Sequence, residues 1–309
     1  MVFYVIRRIL QAIPVLIGTT FLIYFLVFAM PGDPVAALFG DKQPNAELLK
    51  ALREQYHLNE PFIVQYLYYL RDVVTGNFGT SFSGQSVNAV LADTIPVTAR
   101  LALMAVILEM IVGVAIGLVA GLRKGKLFDL SSLVVSLLFL SVPIFVIAFI
   151  GQFGLGFKLG LFPTTVGADA SIPRLLLPAI VLAASLVAVN IRLTRGSVIE
   201  TLGNDFVRTA FSKGLSRGRV IRVHVLRNSL IPVTTQLGAD FGILLVGATV
   251  TEGIFNVPGV GQTLYQAIIR GERPTVVSFV TVMVLFYLVV NIVIDLVYAV
   301  LDPRIRYVK

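Results

Sequence analysis

The sequence predicts an all-α polytopic membrane protein with six transmembrane helices, and three observations carry that prediction. Hydrophobic residues make up 57% of the 309 residues and charged residues only 14%, against about 45–50% and about 25% in soluble domains. Six apolar runs, Ile9–Met30, Val97–Leu122, Leu127–Gly151, Leu175–Leu193, Leu230–Val250 and Val276–Leu301, are each close to the ~20 residues that a bilayer core of about 30 Å demands. The basic residues also alternate between the segments that separate these runs. With the N-terminus inside, segments 1–8, 122–127, 192–229 and 302–309 hold 16 Lys and Arg in 60 residues, while 31–96, 152–174 and 251–275 hold 8 in 114. The positive-inside rule then places both termini in the cytoplasm. The net charge of +8 is accounted for by this topology; a nucleic-acid partner is not expected, because no aromatic–basic interleaving accompanies the charge. Cysteine is absent, so disulfides and thiol chemistry are excluded.

In chain order, Arg7 and Arg8 precede an apolar run of 22 residues, longer than the ~7–15 of a cleavable signal peptide, so the first span is expected to be retained. The prolines of PGDP (31–34) stop it, since proline cannot continue a helix and biases the residue before it toward extended geometry. Residues 31–96 form an extracytoplasmic subregion between the first two spans. Within it, Asn45 to Tyr56 has helical spacing. A second helix is expected to start at Pro61, capped by Asn59 or Glu60, and to end at Gly76. Ile63, Leu67 and Leu70 would share one of its faces, laying the helix on the membrane or over the bundle. The stretch GNFGTSFSGQS (76–86) reads as a loop or short strands. The subregion reads as a packed cover, with a substrate site as the alternative.

Polar residues inside the spans stand out: Glu109, Asn190, Asp240, Asn291 and Asp295. A carboxylate at mid-bilayer costs about 2.5–3.5 kcal/mol on insertion scales, so such groups face a bundle interior or a watered path. Glu109 and Asp240, with Asn190 and with Gln236 one helical turn before Asp240, are the candidates for a translocation pathway. The alternative for the carboxylates is an interhelical hydrogen bond, and for Asn190 and Asn291 the role of helix–helix adhesive. Asp295, near the inner end of its span, is expected to meet a basic residue.

Between the fourth and fifth spans, residues 197–229 contain the stretch NDFVRTAFSKGLSRGRVIRVHVLRNSLIP (204–232), with eight Arg and Lys from Arg192 to Arg227. It reads as two short amphipathic helices broken at Gly214. Ile199, Leu202, Phe206 and Ala210 recur at three- and four-residue steps and would share a face. Ser216 is a candidate N-cap, with Leu215 and Val220 at the ends of a hydrophobic staple. A connector between two spans needs no such elbow; a surface that grips a partner does.

Several chemistries are missing. Gly125-Lys126 is followed by Leu, without the upstream glycine of a phosphate-binding loop. His57 and His224 fall on opposite sides of the membrane, and neither H-E-x-x-H, G-x-S-x-G nor a cluster of metal ligands occurs. The chain is therefore expected to be no enzyme and to hold no cofactor or metal. Uphill transport would draw on an ion gradient, with Glu109 and Asp240 carrying protons or cations, or on a separate ATPase.

The elbow resembles the cytoplasmic loop of ABC importer permeases, written E-A-A with a glycine after three further residues. Arg208, Thr209, Ala210 and Gly214 fill those positions; Arg208 replaces the Glu, Arg227 stands where a proline is usual and Pro232 matches a later one. RTAFSKGLS and VLRNSLIPV, within 208–233, are similar to the dipeptide, oligopeptide and nickel permeases, a branch in which departure from E-A-A is usual. The resemblance continues through Arg7-Arg8, PGDPV (31–35), LNEPFIVQYLYYL (58–70), GNFGTSF (76–82), TEGIFNVPGVGQTLYQAI (251–268) and NIVIDLVYAVLDPRIRY (291–307). Asp240 sits where the branch commonly has another polar residue such as Gln.

This resemblance implies a type I ABC importer permease fold, a single transmembrane domain over 1–309, in a bacterial or archaeal plasma membrane. The long outer segment resembles that of the first of two non-identical permeases, which would pair as a heterodimer around one pore. Phe206, Arg208, Thr209, Ala210, Gly214 and Leu215 would form the coupling surface to one of two ATP-binding subunits, which would carry ATP and Mg. An extracytoplasmic substrate-binding protein would contact the outer loops, at Glu252, Phe255, Pro258 and Gly259 among others. The cargo implied is a dipeptide or oligopeptide, with nickel, glutathione and heme as alternatives. An ion-coupled secondary transporter would explain the buried carboxylates without explaining the elbow. An intramembrane enzyme would need a nucleophile–base or metal pair that is absent.

Overall fold

A computed structural model describes residues 2–28, 46–55, 57–81 and 84–301. Helices are α1 (Val2–Phe28), α2 (Ala46–Gln55), α3 (Phe62–Val74), α4 (Val87–Leu122), α5 (Leu127–Ser141), α6 (Ile144–Gly151), α7 (Ile172–Leu202), α8 (Asp205–Ser212), α9 (Arg217–Arg219), α10 (Arg227–Phe255), α11 (Val260–Ile269) and α12 (Arg273–Leu301). Two π-helical turns, Gln152–Lys158 and Val220–Leu226, extend α6 and α9. The expected all-α class holds. Among the described residues four helices are long and apolar enough to cross a membrane, and up to six spans result if each of two bent helix pairs counts as one. The PGDP motif and the C-terminal 302–309 lie outside the described residues, as does the side chain of Asp295.

The third span is not the single helix that its apolar run predicts. Its two halves, Leu127–Ser141 and Ile144–Lys158, meet at 103°. The cause is local: Val142 is extended (φ −92°, ψ 125°) and Pro143 caps α6, since the ring of a proline expels the preceding residue from the helical region. The fifth span also bends, by 55° between Leu244 and Ala248.

The chain divides into two compact units, Met1–Thr98 with Pro258–Lys309, and Ala99–Val257. In the first, α3 packs its aromatic face on α1 and α12. Tyr24, Tyr66 and Val277 are buried there with Phe62, Tyr69 and Leu70 against them. Tyr66 OH donates to the Ile17 carbonyl (3.0 Å) and Tyr69 OH to Thr281 Oγ1. Burial pushes the Tyr69 phenol above its ordinary range, so it stays a donor under physiological conditions. Ile63 and Leu67 instead lie on the open face, each 56% exposed, and of the predicted apolar stripe only Leu70 turns inward. Pro61 occupies the N-cap, one place earlier than expected. Gly76, at φ +72°, ends α3 as expected, and the stretch after it forms one antiparallel bridge, Thr80 to Ser86. A second core of this unit gathers Val87, Leu91, Val260, Leu264, Phe279 and Val282.

In the second unit α7 is central, packed on α5, α6 and α10. Its contact with α4 is closer than ordinary side chains permit. A Cβ on Gly113 would stand 2.8 Å from Asn190 Cβ, one on Gly117 2.6 Å from Thr194 Cβ, and one on Gly121 2.7 Å from Val198 Cγ1. The pairings advance together along both chains, so α4 and α7 run parallel over two turns with glycine at each crossing.

Candidate functional site

The elbow starts where α7 stops at Gly203, and Asn204, extended at φ −75° and ψ 146°, caps α8. This break separates Ile199 and Leu202 from Phe206 and Ala210, so the single face expected from their spacing does not form. The inward face of α8 is Val207 and Ala210, which join Val198, Val220 and Val225 in one buried cluster, with Leu118, Leu122, Leu202 and Leu215 packed against it. Phe206 points outward at 42% exposure, together with Arg208 and Thr209. Ala210 thus seats α8 on its own chain and does not reach outward. Leu215 is half-buried on the same cluster as Val220, in line with the predicted staple.

Gly214 closes α8 in a Schellman turn. Its φ is +76°; its N–H donates to the Phe211 carbonyl (2.9 Å) and that of Leu215 to the Ala210 carbonyl (3.3 Å). Ser216 takes the extended N-cap geometry of α9, and Val220 N–H donates to its carbonyl (3.0 Å). Ser229 Oγ bonds Thr201 Oγ1 (3.1 Å), fastening the start of α10 to α7. Around this fastened frame, Phe206, Arg208, Phe211, Lys213, Arg217, Arg219 and Arg222 are all exposed. Phe211, 46% exposed, was not singled out by periodicity; its three-residue offset from Arg208 was the available signal.

Deeper in the same unit the four pathway candidates form two hydrogen-bonded pairs. Glu109 and Asn190 are fully buried and Asp240 is 1% exposed, with Gln236 half-buried. Asn190 Nδ2 donates to Glu109 Oε1, and Gln236 Nε2 to Asp240 Oδ1 at 2.9 Å. Both carboxylates are closed off from solvent within this chain. Asn291 donates to the Tyr287 carbonyl of its own helix (2.9 Å), not to a neighbouring one.

Nearer the elbow lies an ion pair that sequence patterning missed. Asp129, at the start of α5, is buried; its carboxylate takes bonds from Arg195 Nε, from Arg195 Nη2 (2.9 Å) and from Gly125 N–H (2.8 Å). Arg195 was counted only as positive-inside charge. Beside it, Leu133, Val189, Arg192, Leu193 and Arg195 line an open cavity of about 590 Å³.

At the end of α10, Glu252 and Phe255 are fully buried, and Gly259 is buried too. As drawn from the sequence these were contact residues; the fold turns them inward, because Phe255 fills the core while its carbonyl and that of Asn256 accept from Val166 N–H (2.8 Å) and Gly167 N–H (3.1 Å). Asn256, left-handed at φ 50°, is the exposed residue of this turn, and Pro258 is half-exposed. Among the described residues no group of three or more His, Cys, Asp or Glu is placed to hold a metal.

Comparison with known proteins agrees with this arrangement. Residues 113–307 match the family of binding-protein-dependent transport system inner membrane components, and residues 1–102 match the N-terminal portion of such membrane components. A dipeptide transport system permease protein of Alkalihalophilus pseudofirmus is 34% identical over 99% of this chain and 100% of its own. A probable peptide ABC transporter permease protein of Sinorhizobium fredii is 33% identical over 98% and 99%. A glutathione transport system permease protein of Salmonella choleraesuis is 34% identical over 98% and 99%. The all-helical architecture, the apolar spans and these matches along nearly the whole length establish that the chain belongs to the binding-protein-dependent inner membrane component family, as a multi-pass permease subunit of an ABC importer.

Proposed function

We propose that this permease carries peptides inward and is driven by a separate cytoplasmic ATPase that grips α8. The observation that carries the reading is the two-sided character of α8: Val207 and Ala210 are locked on the buried cluster while Phe206, Arg208 and Phe211 stand outward. Exposed aromatics ringed by arginine make an interface of the kind that carries binding energy. Both termini and the 197–229 loop face the cytoplasm in this reading, and 31–96 faces outward. A second, homologous permease completes the pore. Two ATP-binding subunits hold ATP and Mg, and closure of the pair draws the two elbows together and swings the pore between inward- and outward-facing states. A substrate-binding protein delivers cargo to the outer surface, with Asn256, Pro258 and the 31–96 segment as the accessible contacts. The peptide cargo is supported by the dipeptide and peptide relatives; glutathione, itself a tripeptide, is the second reading, supported by the glutathione permeases.

Two measurements test this. Gly214→Val places a β-branched residue at φ +76°, which costs roughly 1–2 kcal/mol and distorts the turn without touching a span. The reconstituted transporter should keep its membrane insertion and basal ATPase but lose most substrate-stimulated hydrolysis and uptake; normal coupled uptake would contradict the assignment. Phe206→Ala with Phe211→Ala should weaken capture of the ATPase subunit while leaving the permease's own unfolding free energy within about 0.5 kcal/mol of wild type, as expected for exposed positions. Uptake of labelled dipeptide competed by glutathione separates the two cargo readings.

A further inference from the structure

We propose that the cavity between α5 and α7 holds the headgroup of an anionic phospholipid, with its phosphate on Arg192 and its acyl chains on the exposed face of α5. Leu133 from α5 and Val189, Arg192, Leu193 and Arg195 from α7 line an open space of about 590 Å³, within the ~300–1,000 Å³ usual for small-ligand sites. Apolar walls with guanidinium groups at one end suit an amphiphile whose head is anionic. The two arginines differ. Arg195 is neutralised by Asp129, whereas Arg192 is exposed, and among the described residues no carboxylate stands within ion-pair range of it. The other carboxylate of α7, Glu200, lies eight residues further on, about 12 Å along the axis.

The buried ion pair brings further cations to the rim. Gly125 N–H donates to Asp129 Oδ2 at 2.8 Å, and Arg195 Nη2 donates to the same oxygen at 2.9 Å, so one carboxylate ties the turn between α4 and α5 to a wall of the cavity. Lys124 and Lys126 flank Gly125 and Arg123 precedes them, all three exposed. Leu133 stands one turn past Asp129. Beside it Leu130, Val134 and Leu137 recur at three- and four-residue steps, each exposed, as one apolar stripe. Cations therefore crown a hydrocarbon track, and a phosphate held by Arg192 would lay its chains along that track. Basic pockets between transmembrane helices at the cytoplasmic surface take anionic headgroups in this way; the inner leaflet follows from the orientation proposed above. A second permease is the poorer occupant. A homologue with the same inner excess of Lys and Arg would bring like charge to the rim, whereas an anionic lipid brings opposite charge and hydrocarbon in one molecule.

The test titrates lipid into the complete transporter in detergent, counting bound phospholipid by native mass spectrometry and following thermal unfolding. Wild type should bind phosphatidylglycerol and cardiolipin in preference to phosphatidylcholine, and either anionic lipid should raise the unfolding midpoint. Arg192→Gln should weaken phosphatidylglycerol binding about fivefold, the equivalent of the ~1 kcal/mol that one basic residue contributes near an anionic surface. Lys124→Gln with Lys126→Gln should weaken it as well. Leu133→Trp fills the cavity without changing its charge, and should lose the bound lipid while its midpoint in phosphatidylcholine stays near wild type. A photoreactive label on Leu133→Cys should capture phospholipid. Wild-type phosphatidylglycerol binding by Arg192→Gln or by a folded Leu133→Trp would overturn the proposal. So would equal binding of phosphatidylcholine, the same stabilisation by inorganic phosphate at equal concentration, or a label that captures the second permease and no lipid. None of these readouts involves uptake, so a negative result leaves the cargo reading untouched.

Discussion

Gly117→Val is expected to leave little or no folded permease in the membrane. A Cβ at this position meets Thr194 Cβ at 2.6 Å and the Ile191 carbonyl at 2.7 Å, and the second of these is backbone that no rotamer change can move. The helices must part, and parting them removes the dispersion contacts that hold transmembrane helices together where lipid supplies no hydrophobic drive. The cost should reach or exceed the upper end of the ~1–3 kcal/mol typical of overpacking. Gly121→Ala and Gly113→Ala should also destabilise, since Val198 Cβ and Asn190 Cβ, each 2.8 Å away, are fixed by the α7 backbone; the effect should be smaller than at Gly117, because neither meets a backbone carbonyl as closely. Membrane abundance and the unfolding midpoint of solubilised protein provide the measurement. Wild-type behaviour of Gly117→Val would show that α4 and α7 do not touch as described.

Arg195→Ala should be the next most damaging change, at about 1–3 kcal/mol, the range found when a buried acceptor loses a charged hydrogen-bond partner. Asp129 is 1% exposed on its side chain, so without Arg195 its charge is left with the Gly125 N–H. Removing both, in Asp129→Ala with Arg195→Ala, should cost less than removing Arg195 alone. Arg195→Lys should recover only part of the loss, because an ammonium cannot reproduce the two-pronged contact. A double-mutant cycle read by unfolding midpoints checks all three, and additivity across the cycle would deny the coupling.

What could be read from residues alone followed the strength of the local physics. Apolar runs fix helix class because bilayer thickness sets one length, and Gly76 and Gly214 end helices because left-handed backbone favours glycine. The four polar residues Glu109, Asn190, Gln236 and Asp240 were recognisable as exceptional, since their burial is costly; that Asn190 reaches Glu109 depends on the rotation of two helices, which no single segment encodes. The G-x-x-x-G-x-x-x-G spacing of Gly113, Gly117 and Gly121 was visible as small residues one turn apart, yet only the contact on α7 gives it meaning. Asp129 and Arg195 are 66 residues apart, and each looks like an ordinary inner-face charge by itself. The Val142-Pro143 break was the most legible of the missed features, because the proline rule applied to PGDP applies there too. Glu252 and Phe255 failed as surface contacts because a motif's position in a loop does not reveal which way its side chains turn.

The glycine crossings have a mechanical corollary. Val198 packs against Gly121 and also belongs to the cluster on which Val207 and Ala210 rest, while Asn190, against Gly113, holds Glu109. From α8 to that carboxyl the packing is therefore continuous along α7, so that a displacement of α8 has a direct line of contacts to Glu109.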